Sequence, residues 1–498
     1  MPDIADRFVG LGRLWRGLIL AGLGAVAAVG QAPWDRPWAT MLVLPILFAL
    51  PMTHWKTTAF HGCALGVGYF ALSLHWITQP FMVDAARDGW MAPFGLLFMA
   101  VGLASFWAAA FGAARALGGG KLALVTCWTA AEVARSLLFT GFPWALLGHV
   151  WIDTPLAQLA AFVGPHGLTL LTLGAAALIG CLRLWSVAPL VLAGIGWFAL
   201  DPGPAPVPDP DAHIIRLVQP NIPQADKWNP DLVPLHFQRL LDLTATAPPV
   251  DLVIWPETAI PWLLDQAQDV LESSAMAARG APLILGVQRR EDGRYFNALA
   301  LLDRVGSVTA VYDKSHLAPF GEYIPFGDLL DRFGIHGLAS SQGGGFTAGA
   351  GLALVEVPGI GPVLPLICYE GIFAEEVNAV DGRARLMVLI TNDAWFGTDS
   401  GPYQHFALAR LRAIEQGLPL ARVANTGVSG MIDAQGRVLG QIGLGQQGVL
   451  DMPLPVALPA TVYTRFGDSP VLVLLTLLTA TLIWRRQRFA IDPTAKPD

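Results

Sequence analysis

Seven apolar runs follow one another through the first two hundred residues, a long polar region comes next, and one more apolar run lies near the end. The first seven are 14–31, 38–53, 58–78, 91–114, 122–140, 166–183 and a shorter one at 186–200, and the last is 469–484. A helix that crosses a bilayer needs about 20 mainly apolar residues. The pattern therefore predicts a helical membrane bundle of about eight spans, with a large domain inserted before the last. Composition agrees, since 14% of the 498 residues are charged, against about 25% in soluble domains. The net charge of −7 is modest and no long basic run suggests a nucleic-acid partner.

Lys and Arg in the short loops set the orientation. Arg7, Arg13 and Arg16 precede the first run, and Lys56, Arg115, Lys121 and Arg183 fall in alternate loops. Arg485, Arg486 and Arg488 follow the last run, while 141–165 holds no Lys or Arg. Both ends of the chain are expected in the cytoplasm and the insert outside it, in the periplasm of a bacterium. The first run also resembles a signal peptide; a retained span is expected, because many spans follow. Trp15, Trp34, Trp38, Trp55, Trp76 and Trp90 lie near run ends and read as an interfacial belt. Glu132 and Arg135 lie within the fifth run, one turn apart. An ion pair and a functional intramembrane charge are both open there.

The Pro-rich segment 201–212 is a linker, and beyond it the pattern changes. Short β-rich runs at 213–221, 250–257, 281–288, 297–303, 308–314, 363–370 and 384–393 alternate with helical stretches at 231–246, 265–279 and 404–418. Hairpins with Gly turns are expected in 297–312 and 429–442. This alternation predicts an α/β sheet covered by helices.

Three of these strands end in a reactive side chain: Glu257, Lys314 and Cys368. Sites in open α/β sheets gather at the carboxyl ends of strands. A thiol is a strong nucleophile but is mostly protonated near neutrality. A nearby carboxylate can take its proton, and an ammonium can stabilise the oxyanion on an attacked carbonyl. The N–H of Tyr369 is a second candidate donor. A lone cysteine at a strand end is more often a small core residue, and a lone Lys or Glu a solvated charge; three together in one domain weaken that reading. The other cysteines, Cys63, Cys127 and Cys181, all lie in apolar runs, so a disulfide framework is excluded. No Cys or His spacing suits a metal site, and no cofactor is expected. His316 and His405 are expected at the surface or behind the site. Asn392 and Asp393 are expected to hold loops by local hydrogen bonds.

The motifs WPETAIPW, VQPNIPQADKW, YDKSHLAPFGEYIPF, ICYEGIF and NDAWFG, in this order and between seven spans and one, resemble the apolipoprotein N-acyltransferases of the nitrilase superfamily. The resemblance covers essentially the whole chain. It implies an αββα sandwich and the catalytic triad Glu257, Lys314 and Cys368. Glu322, Tyr369, Glu370, Trp228 and Asn297 match supporting positions of the family. The implied reaction is ping-pong: Cys368 takes an acyl chain from a phospholipid as a thioester. The N-terminal amino group of the diacylglyceryl-cysteine of an apolipoprotein then accepts it. Glu257 is implied as the base, Lys314 as the oxyanion stabiliser. The chain is then expected to divide into a bundle at 1–204, a periplasmic catalytic domain at 205–465, and a last span with a cytoplasmic tail at 466–498 of the inner membrane protein.

A membrane site has a physical reason as well. Extracting a sixteen-carbon chain from lipid costs about 12 kcal/mol at roughly 0.8 kcal/mol per CH₂. Trp262, Leu263, Leu264, Phe326, Phe333, Trp395 and Phe396 are candidates to face lipid or line an acyl groove, though core packing suits each one singly. Segment 340–349 is a candidate lid. Two other classes fit less well. A membrane-anchored amidohydrolase needs only one span, and a transporter with a receptor domain needs broken, polar helices at mid-membrane.

Overall fold

The computed structural model describes residues 2–181, 184–324 and 345–491. Its contacts divide the chain into two units, Met1–Thr78 with Asp88–Asp201 and Val462–Asp498, and Gln79–Arg87 with Pro202–Thr461.

In the first unit every apolar run forms a helix: Arg13–Ala28, Pro37–Ala49, Trp55–Ser73, Ala92–Ala116, Lys121–Leu137, Ala160–Ile179, Ala188–Ala199 and Ser469–Ile491. Among the described residues, four helices are long and apolar enough to cross a membrane: Ala85–Ala116, Lys121–Thr140, Pro155–Ile179 and Ser469–Arg488. Pro37–Ala49 and Ala188–Ala199 are apolar but shorter. The twelve residues of the latter rise only about 18 Å at 1.5 Å each. Helix Pro37–Ala49 stops short of 53 because Pro51 disfavours helical backbone at Leu50, which is extended. Helices Arg13–Ala28 and Trp55–Ser73 approach through Gly24 and Gly68, where a Cβ would overlap the facing backbone. Helix Ala160–Ile179 breaks at Gly164–Pro165, and the Tyr463 ring fills the space at Gly164.

Two charged residues of this unit, Glu132 and Arg135, form a buried network. Arg135 pairs with Glu132 at 2.6 Å, both fully buried. Trp107 donates to the second oxygen of Glu132, and Arg135 also donates to the carbonyls of Phe142 and Trp144. This is an ion pair that also caps a loop. Trp15, Trp38, Trp55 and Trp90 are exposed, as a belt requires, whereas Trp76 is buried against Trp144 with ring centroids 4.7 Å apart.

The second unit contains two six-stranded sheets. The strands are β1 (Ile214–Gln219), β2 (Leu252–Ile254), β3 (Leu283–Glu291), β4 (Arg294–Leu302), β5 (Val308–Asp313), β6 (Val355–Val357), β7 (Gly361–Ile367), β8 (Leu386–Thr391), β9 (Leu420–Ala424), β10 (Ser429–Ile432), β11 (Val438–Ile442) and β12 (Gly448–Pro453). The sheet orders are β12-β1-β2-β3-β4-β5 and β11-β10-β9-β8-β7-β6. One apolar core holds inward residues of both sheets, among them Leu217, Ile254, Leu299, Val363, Ile390 and Val423. A second core seats helices Val233–Thr244 and Gln268–Ala277 on the first sheet through Leu240 and Leu271. A third seats helix Gly401–Gln416 on the other sheet through Phe406, Ala409 and Ala413. The layers are therefore αββα, as the resemblance implies. The central strands β2 and β8 are buried along their whole length, as strands covered on both faces must be.

Strand direction brings the reactive ends together. β2 and β3 are parallel, and β4 and β5 each reverse the direction. β5 therefore runs with β2, and Lys314 emerges at the same end of the sheet as Glu257. β7, β8 and β9 are mutually parallel.

Candidate active site

Glu257 follows β2 by three residues, and its loop turns at Thr258, where φ is +47°. Gly286 on β3 makes that turn possible. A Cβ there would lie 2.5 Å from the Glu257 Cα, and the Gly286 carbonyl accepts from Ala259 N at 2.8 Å. Lys314 directly follows β5, and its own N–H donates to Asn297 O at 2.8 Å. Glu322 is brought back by a turn in which its N–H donates to Ala318 O at 2.9 Å.

The two carboxylates share one cation and one amide. Lys314 Nζ lies 2.8 Å from Glu322 Oε2 and 3.7 Å from Glu257 Oε1. Asn297 Nδ2 donates to Glu257 Oε1 at 2.7 Å and to Glu322 Oε1 at 2.8 Å. Backbone N–H groups complete the pair, Asn392 to Glu257 at 2.9 Å and Ala318 to Glu322 at 2.7 Å. All four side chains are buried. Burial alone would lower the Lys314 pKa, but Glu322 and Glu257 outweigh it and hold the ammonium well above its ordinary range.

Cys368 is the first residue after β7, at the start of the short helix Cys368–Ile372. Its φ is +51°, a left-handed conformation rare for a residue with a side chain. Burial and then the Glu257 charge push its thiol pKa upward, while Lys314 and a hydrogen bond with Thr391 pull it down. The resting sulfur is accordingly a thiol with a carboxylate in electrostatic reach. All four cysteines, Cys63, Cys127, Cys181 and Cys368, are free.

Glu370 is fully buried and ties the turn down. Its Oε2 accepts from Ile367 N at 2.8 Å. Its Oε1 accepts from Tyr312 Oη at 2.6 Å, Ser315 N at 2.7 Å and Ser315 Oγ at 2.9 Å. One carboxylate thereby fastens the Cys368 turn to the segment that carries Lys314. Tyr369 is buried edge-on against His316 and Phe373. Trp228 is 44% exposed, with Lys227 Nζ 6.0 Å from its ring centre.

Among the described residues no group of three or more His, Cys, Asp or Glu is placed to hold a metal ion. Trp262, Leu264 and Phe396 pack against the cores, so core packing accounts for these three. Phe326, Phe333 and 340–344 of the candidate lid lie outside the described residues. His316 pairs with Glu376 at 2.5 Å and stacks on Phe373. Asn392 does not stay local: its side chain donates to Gln224 Oε1 at 2.7 Å and accepts from Asn425 at 3.0 Å.

Sequence reasoning missed Lys227. It is buried, its Nζ donates to the Glu257 carbonyl at 3.3 Å, and burial lowers its pKa to about 8 against the pull of Glu257. Its position one residue before Trp228 was the available signal. Gly286 carried none, since only the approach of the Glu257 loop makes a side chain there impossible.

Similarity to known proteins follows the same division. Residues 214–459 match the carbon–nitrogen hydrolase family, and residues 23–178 match the apolipoprotein N-acyltransferase N-terminal domain. The apolipoprotein N-acyltransferase of Rhodopseudomonas palustris is 36% identical over 95% of this chain and 96% of its own. This chain belongs to the apolipoprotein N-acyltransferase family. The family member of Sinorhizobium fredii is 39% identical over 92% of this chain and 93% of its own. That of Brucella melitensis is 36% identical over 95% and 97%. The family expectation and the helical membrane character are therefore borne out.

Proposed function

We propose that this chain transfers an acyl chain from a phospholipid to the N-terminal amino group of the diacylglyceryl-cysteine of apolipoproteins, through a thioester on Cys368. The observation that carries this reading is the convergence of a buried thiol, carboxylate and ammonium in a member of this family. Glu257 takes the thiol proton as the sulfur attacks the ester carbonyl, and Lys314 stabilises the oxyanion. The proton passes to the departing lysophospholipid hydroxyl. The acceptor amine then attacks the thioester, forming the amide and restoring the thiol. Glu322 and Asn297 orient Lys314 and Glu257, and Glu370 holds the nucleophile turn. Tyr369 and the exposed Trp228 are the remaining supporting positions. The reaction needs no metal or cofactor.

The test is incubation of the purified protein with phospholipid and a diacylated lipopeptide, with mass spectrometry of both. A triacylated peptide and a lysophospholipid are expected. Free fatty acid with an unchanged peptide would point instead to an anchored hydrolase.

The loop charges support residues 205–465 as a periplasmic domain between a seven-span bundle at 1–204 and a last span in 466–498 of an inner membrane protein. A periplasm-dependent reporter fused after residue 205 should be active, and one fused after 490 inactive. An inactive reporter at 205 contradicts this topology.

A further inference from the structure

Behind the Cys368 peptide lies a buried polar cluster that the proposed chemistry does not use. Asp393 comes two residues after β8, His405 lies on helix Gly401–Gln416, and Arg422 lies on β9; each is fully buried. His405 Nε2 is 3.1 Å from Cys368 O. His405 Nδ1 is 2.9 Å from Arg422 Nη2 and 3.1 Å from Asp393 Oδ1. Arg422 Nη2 donates to both Asp393 oxygens, at 3.0 and 2.8 Å, and Thr391 Oγ1 adds a bond to Oδ1 at 2.9 Å.

The carbonyl partner of Nε2 fixes the proton there. A carbonyl oxygen only accepts, so Nε2 must carry the hydrogen. Nδ1 faces both a donor, the Arg422 guanidinium, and an acceptor, the Asp393 carboxylate, and these two neighbours hold the ring in place. Burial, and then the Arg422 charge, lower the His405 pKa, while Asp393 opposes that shift. Burial opposes ionisation of Asp393, but Arg422 outweighs it and holds the pKa at about 2.

The bond meets a strained backbone. A non-glycine residue in the left-handed region persists only where its surroundings hold it. Glu370 grips the Ile367 N–H before Cys368, and His405 grips the carbonyl after it. A trans peptide is planar, so fixing the Cys368 oxygen also fixes the direction of the Tyr369 N–H.

We infer that His405 is a positioning residue: its Nε2–H, on a ring held in place by Arg422 and Asp393, holds the Cys368–Tyr369 peptide in the orientation that presents the sulfur for attack. This inference rests on Cys368 being the acylated residue. It extends the site to Asp393, His405 and Arg422, none of which touches substrate.

The test is single-turnover acylation of the full-length protein by a fluorescent phospholipid, comparing His405→Gln, His405→Asn and His405→Leu. Gln can place an amide donor near the position of Nε2, Asn cannot reach it, and Leu has none. Leu and Asn should acylate about 100-fold more slowly at saturating lipid, the loss that a misplacement of about 1 Å can cause. The half-saturating lipid concentration should stay unchanged, and Gln should recover most of the rate. The inference is overturned if Gln is no faster than Asn, if Leu is near wild type, or if only the half-saturating concentration changes. Should Leu fail to fold, as judged by circular dichroism, the Gln and Asn pair decides. Wild-type protein that forms no adduct at Cys368 would instead refute the proposed function itself.

Discussion

Glu257→Gln is expected to abolish acylation of Cys368 while leaving both sheets intact. Glutamine has the shape of glutamate, but the site tests both oxygens. Oε1 accepts from Asn297 and Oε2 from the backbone N–H of Asn392. The amide can satisfy one of these donors and must turn its NH₂ toward the other. It also removes the group proposed to take the thiol proton. That matters because burial raises the thiol pKa, so little thiolate is present without a base. General-base catalysis contributes about 10²- to 10⁴-fold, and a loss in that range in acylation rate is the expected outcome. Circular dichroism should be unchanged. Acylation near the wild-type rate by the folded variant would remove the base assignment.

Lys314→Met should be worse, because it fails in two ways. It deletes the ammonium proposed to meet the oxyanion, and it leaves Glu257 and Glu322 buried with their shared cation gone. Removing one partner of a buried ion pair costs about 3–5 kcal/mol. The variant should be inactive and unfold at lower temperature. Adding Glu322→Gln removes one of the stranded charges, so Lys314→Met/Glu322→Gln should regain part of the lost stability and none of the activity. Thermal unfolding by circular dichroism and single-turnover acylation separate the two effects. Full activity in either variant would contradict the role of Lys314. A double variant less stable than Lys314→Met would contradict the account of the stranded carboxylate.

The same contacts show which parts of the site can be read along the chain. Glu257, Lys314 and Cys368 each stand where an apolar strand stops, so the break in pattern marks them. Glu322 and Glu370 were reached through family motifs, and their partners, the Ala318 and Ile367 N–H groups, become visible only in the folded turn. Asn297 lies inside β4, directly before the apolar run 298–302; its bridging of two carboxylates depends on the pairing of β4 with its neighbours. β9 shows the opposite limit. Leu420–Ala424 follows the helical stretch at 404–418, and Arg422 interrupts its apolar pattern. In the fold it is a central strand, because Asp393 and His405 meet that guanidinium inside the protein. β6 and β12, at the sheet edges, also lie outside the β-rich runs of the sequence. In the helical unit each apolar run marks a helix, whereas the short helices Pro2–Gly10 and Val462–Phe466 lie outside the runs. The break at Gly164 is explained only by Tyr463, three hundred residues away in the chain, whose ring occupies the space where a Cβ would stand.

The central claim is that one acyl group passes through Cys368. The most direct measurement is peptide mapping by mass spectrometry of wild-type protein after exposure to phospholipid without acceptor. A single acyl adduct is expected on Cys368, released by neutral hydroxylamine as a thioester is. A diacylated lipopeptide should discharge it to give an N-terminal amide, and Cys368→Ala should form no adduct. An adduct on another residue, or acyl transfer that persists in Cys368→Ala, would contradict the account.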